Sequence, residues 1–364
     1  MEKKILGTTI FELLPSKENA RNSEGSFIRL KSGRIVFAYS SFQGESNHDH
    51  ACSNIAIVCS DDDGLTFSEP QVVLTAKECG ADNLMSVSLL EMKDGSVGMF
   101  YLEKTQTDTD FPKANVYLRK TFDFISFSEK TLCTKNDIYH VLNNDRVIRL
   151  KNGNILFTVA EYYYENVKQE YKNSRVAFYL STDDGKSFTR TCEVFMPFAD
   201  FDTGLQEPGV IELDDGRIFA WYRSNVGRIL KSYSYDGGYT FTTPEPTLLI
   251  SPVSPTSIKP LSSGEKIIVY NPFDCGGYYG YDQRSPLVIR MADGNMNFIW
   301  DDFLMKWVED LSVDRGYCYT AIFETDDAVL LAYSAGSKEE GGRLSRLRIK
   351  RIEKLNLIKN TVKD

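Results

Sequence analysis

The sequence lacks the features that mark secreted and membrane-embedded chains. Its first residues, MEKKILGTTIFELLPSKENARN, hold no apolar core long enough for a signal peptide, and no run anywhere approaches the length of a membrane span. Its seven cysteines form no Cys-x-x-Cys pair and often lie in apolar, strand-like segments. We therefore expect reduced thiols and a cytoplasmic location. Secretion stays open if a leader has been trimmed from the N-terminus.

Positive charge and histidine are also scarce. The 42 Lys and Arg residues face 51 Asp and Glu residues, and the formal net charge of −9 disfavours nucleic acid or an anionic membrane as a partner. The histidines are His48, His50 and His140, and the His-Asp-His spacing of 48–50 is not a recognised ligand signature. On a strand, Asp49 would point away from both neighbours. We predict neither a metal ion nor a cofactor.

What the sequence does contain is an eight-residue motif, S-x-D-x-G-x-[TS]-F, at 60–67, 181–188 and 234–241. Degraded copies lie at 291–298 and 121–127. The Asp side chain can accept backbone N–H bonds inside a tight turn, the Gly suits a positive φ, and the aromatic residue leaves the turn to pack. Three clear copies indicate a repeated supersecondary unit.

A second repeat sets the number of units. Apolar-alternating runs end in polar turns at residues 33, 95, 153, 216, 264 and 328, which lie 48 to 64 residues apart. Each is followed by two further strands, and most of the third strands lead into the eight-residue motif. We predict one all-β domain, 1–364, folded as a six-bladed β-propeller of four-stranded antiparallel blades. The last unit lacks a fourth strand, so we expect 4–14 to pair with 344–352 and close the ring. A free N-terminal arm is the alternative.

The repeated motif resembles the Asp box of the sialidase superfamily. In that family an inner-strand Glu is followed about fifteen residues later by an Arg, and Glu207 and Arg223 in QEPGVIELDDGRIFAWYR are similar. The resemblance extends to Arg284, Tyr319 and Asp49. It implies a glycoside hydrolase that removes a terminal sialic acid or related anionic keto sugar with retention of configuration. It also implies the roles of nucleophile (Tyr319), base (Glu207), acid (Asp49) and carboxylate clamp (Arg223, Arg284).

The family's first-blade motif F-R-I-P is missing. The matching residues, 22–25, read NSEG, and Arg21 and Arg146 are the candidates for a third clamp arginine. Glu24 adds an acid that would repel a substrate carboxylate unless it is paired or hydrogen-bonded. A glycosidase or lyase of the same fold that acts on a uronic or other sugar therefore stays open, as does a non-catalytic carbohydrate-binding propeller.

Further candidates follow from propeller geometry, since the inner strands all begin at one end of the axis. In register these openings are Glu24, Ser86, Asn144, Glu207, Pro255 and Tyr319. Asp145 and Arg146 follow Asn144, and we expect these three, with His48 and His50, to contact a carbohydrate substrate. The tyrosines expected to offer stacking faces are Tyr222, Tyr278, Tyr279 and Tyr281. Glu207 could instead only pair with Arg223, and Tyr317 competes with Tyr319 for the role of nucleophile.

Overall fold

The computed structural model describes residues 4–109, 112–134, 138–163, 173–198, 203–273, 284–297 and 305–357. Within these ranges the protein is almost entirely β-structure, with one short helix, α1 (Ala76–Cys79), and a 3-10 turn at Lys354–Asn356. The strands are β1 (Thr8–Leu13), β2 (Arg21–Arg29), β3 (Ile35–Phe42), β4 (Ser53–Ser60), β5 (Gln71–Leu74), β6 (Asn83–Glu91), β7 (Val97–Thr105), β8 (Lys113–Thr121), β9 (Thr131–Leu132), β10 (Tyr139–Val141), β11 (Ile148–Arg149), β12 (Ile155–Tyr162), β13 (Arg175–Ser181), β14 (Thr189–Val194), β15 (Gln206–Glu212), β16 (Ile218–Arg223), β17 (Arg228–Ser234), β18 (Glu245–Ile250), β19 (Ser257–Pro260), β20 (Lys266–Tyr270), β21 (Leu287–Ala292), β22 (Lys306–Glu309), β23 (Cys318–Glu324), β24 (Ala328–Ser334) and β25 (Leu347–Glu353).

These strands form a β-propeller of antiparallel meanders. The described strands make five sheets: β15–β18 and β19–β22 have four strands each, β10–β14 form a five-stranded sheet, and β2–β9 form one sheet of eight. The fifth sheet joins β1 to β25, β24 and β23. The count differs from the six separate sheets that the repeats predict, because a single parallel pair, Ser53 with Asn83, connects β4 to β6.

The two ends of the described chain meet in one sheet. β1 lies antiparallel to β25, with Thr8 opposite Arg351 and Leu13 opposite Leu347. The alternative of a free N-terminal arm is therefore wrong, because β1 belongs to the sheet. The ion pair between Glu12 and Arg348, at 2.8 Å, adds a side-chain contact along the same strand pair.

The core consists of apolar layers between neighbouring sheets. β3 and β12 are buried along their whole length, which explains why they read as continuous apolar runs. Phe37 of β3, Leu330 of β24 and Ile349 of β25 pack in one such layer. Burying each side chain of this size stabilises the fold by about 1.5–3 kcal/mol. The aromatic residue of each clear motif copy packs against one of these layers: Phe67, Phe188 and Phe241.

The predicted turn geometry of the repeated motif is confirmed. In the first copy, Asp62 Oδ1 accepts from the backbone N–H groups of Leu65 and Thr66 at 3.0 and 2.9 Å, and Gly64 has φ +79°. Hydrogen bonds from Thr66 outweigh the effect of burial and lower the pKa of Asp62 to about 2. Asp236 makes the same contacts in the third copy. The hydrogen bonds of each motif carboxylate therefore hold its own turn together, and these acidic residues have a structural role.

Candidate active site

The inner strands open with residues in an unusual backbone conformation. Glu24, Ser86, Asp145, Glu207 and Tyr319 have φ between +40° and +61°. The ladder shifts register at four of them, beside Glu24, Ser86, Glu207 and Tyr319. A β-bulge of this kind bends the strand and turns a side chain towards a site.

The predicted register differs at two of the six openings. In the third, the bulge position is held by Asp145, one residue after Asn144. In the fifth, Pro255 cannot adopt the conformation, because its ring fixes φ near −65°.

A pocket of about 140 Å³ lies where these strands begin. Five of the predicted site residues line it: Glu24, Asp49, Glu207, Arg223 and Tyr319. The remaining described lining residues are Met85, Ser86, Leu102, Lys104, Tyr139, Val141, Leu142, Asn143, Tyr162 and Gln206. The predicted nucleophile, base and acid therefore share one cavity.

The centre of the pocket is a phenol–carboxylate pair. The Tyr319 hydroxyl donates to Glu207 Oε1 at 2.6 Å, and Glu207 Oε2 lies 2.7 Å from Arg223 Nη1. Burial raises the pKa of Glu207, but Arg223 and Arg284 lower it by more, so the carboxyl is ionised. Burial and the charge of Glu207 hold the pKa of Tyr319 well above 10. A protonated phenol is thus bonded to a base that can accept its proton.

Tyr317 lies elsewhere. It is buried in the apolar layer between the β19–β22 sheet and the sheet that contains β23, β24 and β25, with its ring edge-on to Tyr333 at 6.3 Å. Arg284, by contrast, lies against Tyr319, with its guanidinium carbon 5.3 Å from the Tyr319 ring centre. Arg284 Nη1 also lies 3.2 Å from Cys318 Sγ.

Arg21 connects the first sheet to the pocket in spite of the missing F-R-I-P motif. Its side chain is 2% exposed, Nη2 donates to Glu24 Oε1 and Nη1 to Asp49 Oδ1, each at 2.5 Å. Ser86 Oγ donates to the other oxygen of Glu24 at 2.6 Å. Glu24 is therefore paired with an arginine, which removes most of its repulsion for an anionic ligand. Burial nevertheless raises the pKa of Glu24.

Asp49 is at the solvent side of the pocket, on the loop between β3 and β4. Its side chain is 61% exposed. Loss of water around the carboxyl raises its pKa, while Arg21 and Lys104 lower it by more, to well below the usual range. Solvent at this exposed position screens part of that attraction. Asp49 is ionised in this arrangement.

The three consecutive candidates from the third repeat are not among the described pocket residues. Arg146 is buried, donates through Nη2 to the carbonyl of Thr256 at 2.6 Å, and lies over Trp221. Asp145 accepts from Lys259 Nζ at 2.8 Å. Asn144 donates to the Gly25 carbonyl at 2.7 Å. All three side chains are buried, and their contact with a substrate stays a prediction.

The histidines and Tyr222 are also not among the described residues that line the pocket. His50 Nε2 lies 3.1 Å from the hydroxyl of Tyr139, a pocket residue, but neither His48 nor His50 is among the described lining residues. His140 is fully buried, with Nδ1 2.9 Å from the Ala114 carbonyl. Tyr222 is also fully buried. Tyr278, Tyr279 and Tyr281 lie outside the described residues.

Sequence reasoning missed more than half of the described pocket wall. Tyr139 and Tyr162 supply its aromatic surface, and Lys104 and Asn143 add polar groups. Nothing in the sequence separated these residues from ordinary strand residues, since none belongs to a repeat or a family motif. Asn143 Nδ2 is buried and has no hydrogen-bond partner among the described residues.

Three further findings hold for the described ranges. No group of three or more His, Cys, Asp or Glu side chains there is placed to hold a metal ion. No helix in the same ranges is long and apolar enough to cross a membrane. The cysteines described are free thiols: Cys52, Cys59, Cys79, Cys133, Cys192 and Cys318. The cytoplasmic location stays a prediction.

Comparison with known proteins places this geometry in a family. The family described as "BNR repeat-like domain" matches residues 126–332. The chain belongs to this family. No curated protein matches the sequence of this BNR repeat-like protein.

Solved structures of the same fold include sialidases. A Dyadobacter fermentans protein of unknown function has a TM-score of 0.72 at 18% identity, covering 95% of this chain and 99% of that one. The NanB sialidase from Streptococcus pneumoniae has a TM-score of 0.70 at 15% identity, covering 97% of this chain and 71% of that one. The intramolecular trans-sialidase from Ruminococcus gnavus, in complex with oseltamivir carboxylate, has a TM-score of 0.71 at 14% identity, covering 96% of this chain and 98% of that one. The BNR repeat-like protein thus has the sialidase-like propeller fold.

Proposed function

We propose that the protein is a retaining exo-glycoside hydrolase that cleaves a terminal anionic sugar, a sialic acid or related keto acid, from a glycan. The observation that carries the proposal is the 2.6 Å hydrogen bond from the Tyr319 hydroxyl to Glu207 inside a pocket flanked by arginines. We further infer a ring of six blades closed by β1, which gives the pocket its place on the propeller axis.

The chemistry uses three side chains. Glu207 takes the phenol proton while Tyr319 Oη attacks the anomeric carbon, and the bond to the leaving oxygen breaks. Asp49 supplies the proton to that oxygen. Asp49 then activates water, which displaces Tyr319, and Glu207 returns the phenol proton. Two displacements at one carbon give retention. A neutral phenol suits an anomeric centre that bears a carboxylate, because a carboxylate nucleophile would be repelled.

The arginines favour an anionic sugar. Arg223 contacts Glu207 and Arg284 contacts the Tyr319 ring, and guanidinium groups bind carboxylates through parallel charge-assisted bonds. The Ruminococcus gnavus enzyme of the same fold holds oseltamivir carboxylate, which agrees with this choice of substrate. A substrate carboxylate near Arg21 would also offset the charge that keeps Asp49 ionised, which is the condition for Asp49 to carry a proton.

One observation favours a second candidate. Most N–H groups of Arg21 are already taken by Ser23, Asn47, Asp49 and Glu24, which leaves this arm less free than a substrate clamp needs. A glycosidase or lyase of the same fold acting on a uronic or other sugar would not require it. A non-catalytic sugar-binding propeller would require no phenol–carboxylate pair at all.

The test is turnover of a panel of aryl glycosides by matched tyrosine variants. Wild type should hydrolyse the aryl sialoside, Tyr319→Phe should lose turnover while keeping the wild-type melting temperature within a few degrees, and Tyr317→Phe should keep turnover. Hydrolysis of an aryl uronide alone would select the second candidate. Full turnover by Tyr319→Phe would contradict the assigned nucleophile.

A further inference from the structure

Lys104 is a buried cation in the pocket that the proposed chemistry does not use. It lies near the end of β7, is 4% exposed, and lines the cavity together with Glu24, Asp49 and Ser86. Lysine is rarely buried to this degree, because its ammonium loses hydration. Its position therefore needs an explanation beyond packing.

The hydrogen bonds of Lys104 are incomplete. An ammonium group has three N–H donors. Nζ donates to the backbone carbonyl of Asp49 at 2.8 Å, and the described residues offer no other acceptor within hydrogen-bond distance. A buried donor without an acceptor is costly. Because the Lys104 side chain lines the cavity, an acceptor for its remaining N–H groups can bind there.

The surrounding charges indicate what kind of acceptor fits. Arg21 is paired with both Glu24 and Asp49, so these three groups and Lys104 together carry two positive and two negative charges. The set is balanced without a ligand charge. A second carboxylate or a phosphate on the sugar would therefore gain no net attraction from this wall.

A hydroxyl group fits this wall, because it accepts a hydrogen bond and carries no charge. Its oxygen can accept from Lys104 Nζ, and its hydrogen can be donated to Glu24, whose carboxylate has lone pairs left after its bonds from Arg21 and Ser86. We propose that Lys104 and Glu24 form a subsite that recognises one neutral hydroxyl of the sugar ring. The proposal rests on the proposed function for the identity of the ligand as a sugar.

The test is a cycle of substrate and enzyme changes. The probes are aryl sialosides, each lacking one ring or side-chain hydroxyl, assayed with wild type, Lys104→Met and Lys104→Gln. For wild type, one deoxy substrate should lose roughly 10- to 100-fold in kcat/KM, the range for a hydrogen bond to a charged group. For Lys104→Met, that substrate and its parent should be hydrolysed at nearly equal rates, and Lys104→Gln should recover part of the discrimination.

Lys266→Met is the matched control. Lys266 is also buried, but its Nζ donates to the Gly264 carbonyl and pairs with Asp214, and it is not among the described pocket residues. This variant should discriminate between the substrates as wild type does. Thermal unfolding of each variant identifies loss of fold.

The same cycle can be measured without turnover, from the dissociation constants of the corresponding deoxy monosaccharides by calorimetry. An inactive wild type that still shows the Lys104-dependent preference would refute the proposed function and keep the subsite. Equal binding of all deoxy sugars by wild type, or an unchanged preference in both Lys104 variants, would overturn the subsite.

Discussion

Replacing Glu207 by Gln should separate the energetic role of this carboxylate from its chemical role. Gln has nearly the same shape and can still accept the bond from Tyr319, but it carries no charge. Arg223 Nη1 would then lose the negative charge that lies 2.7 Å away, in a place where the Arg223 side chain is 4% exposed. Removing one member of a buried ion pair costs about 3–5 kcal/mol, because the remaining charge stays desolvated.

That cost converts to a modest change in melting temperature for a chain of this size. Unfolding entropy is about 2.1 cal/mol/K per residue, or roughly 0.8 kcal/mol/K for 364 residues. The expected decrease is therefore roughly 4–7 °C at pH 7. The pKa of Glu207 is lowered in the folded protein, so its contribution is complete above its unfolded pKa of about 4.3 and is lost as the pH falls through the folded value. The difference between Glu207→Gln and wild type should shrink below about pH 4.

The assays are thermal unfolding between pH 3 and 8 and turnover of an aryl sialoside. Loss of the base should decrease kcat by roughly 10²–10⁴-fold, beyond anything that a few degrees of stability explains. Unchanged stability at pH 7 would show that Arg223 has another counter-ion. Unchanged kcat would show that Glu207 does not accept the phenol proton.

Three other predictions concern the clamp, the acid and the repeated turns. Arg223→Ala or Arg284→Ala should cost on the order of 2–5 kcal/mol in kcat/KM for an acidic sugar, and Lys should restore it only in part; equal cleavage of the uncharged ester would remove the clamp. Asp49→Asn should slow poor leaving groups more than activated aryl groups, and Glu24→Gln should not; the reverse pattern would make Glu24 the acid. Asp236→Ala should lower the melting temperature and leave KM unchanged, whereas a changed KM would contradict a purely structural turn.

Most of the fold could be predicted from the repeats, because the contacts of each repeated motif lie within a short stretch of sequence. Asp62 and Gly64 act within a single turn, so their spacing alone specifies the geometry. The sheet count depended instead on the pairing of Ser53 with Asn83, a contact between segments that no local pattern records.

Site residues could be predicted where they belong to a family motif, and the other pocket residues could not. Tyr319 and Glu207 lie in motifs, and the structure brings them together. The sequence of β7, VGMFYLEKT, gives no sign that Lys104 lines a cavity. Arg21 lies upstream of the segment 22–25 that matches the family motif, and only the folded structure shows that its side chain reaches Glu24 and Asp49.

The most direct test of the central claim is to identify the atom that bonds to the sugar. Wild-type protein is incubated with a fluorinated anionic sugar that forms a long-lived intermediate, then quenched, digested and analysed by mass spectrometry. The account predicts one labelled peptide, with the sugar on Tyr319, and no label in Tyr319→Phe. A label on Glu207 or another carboxylate, or a label that persists in Tyr319→Phe, would contradict it.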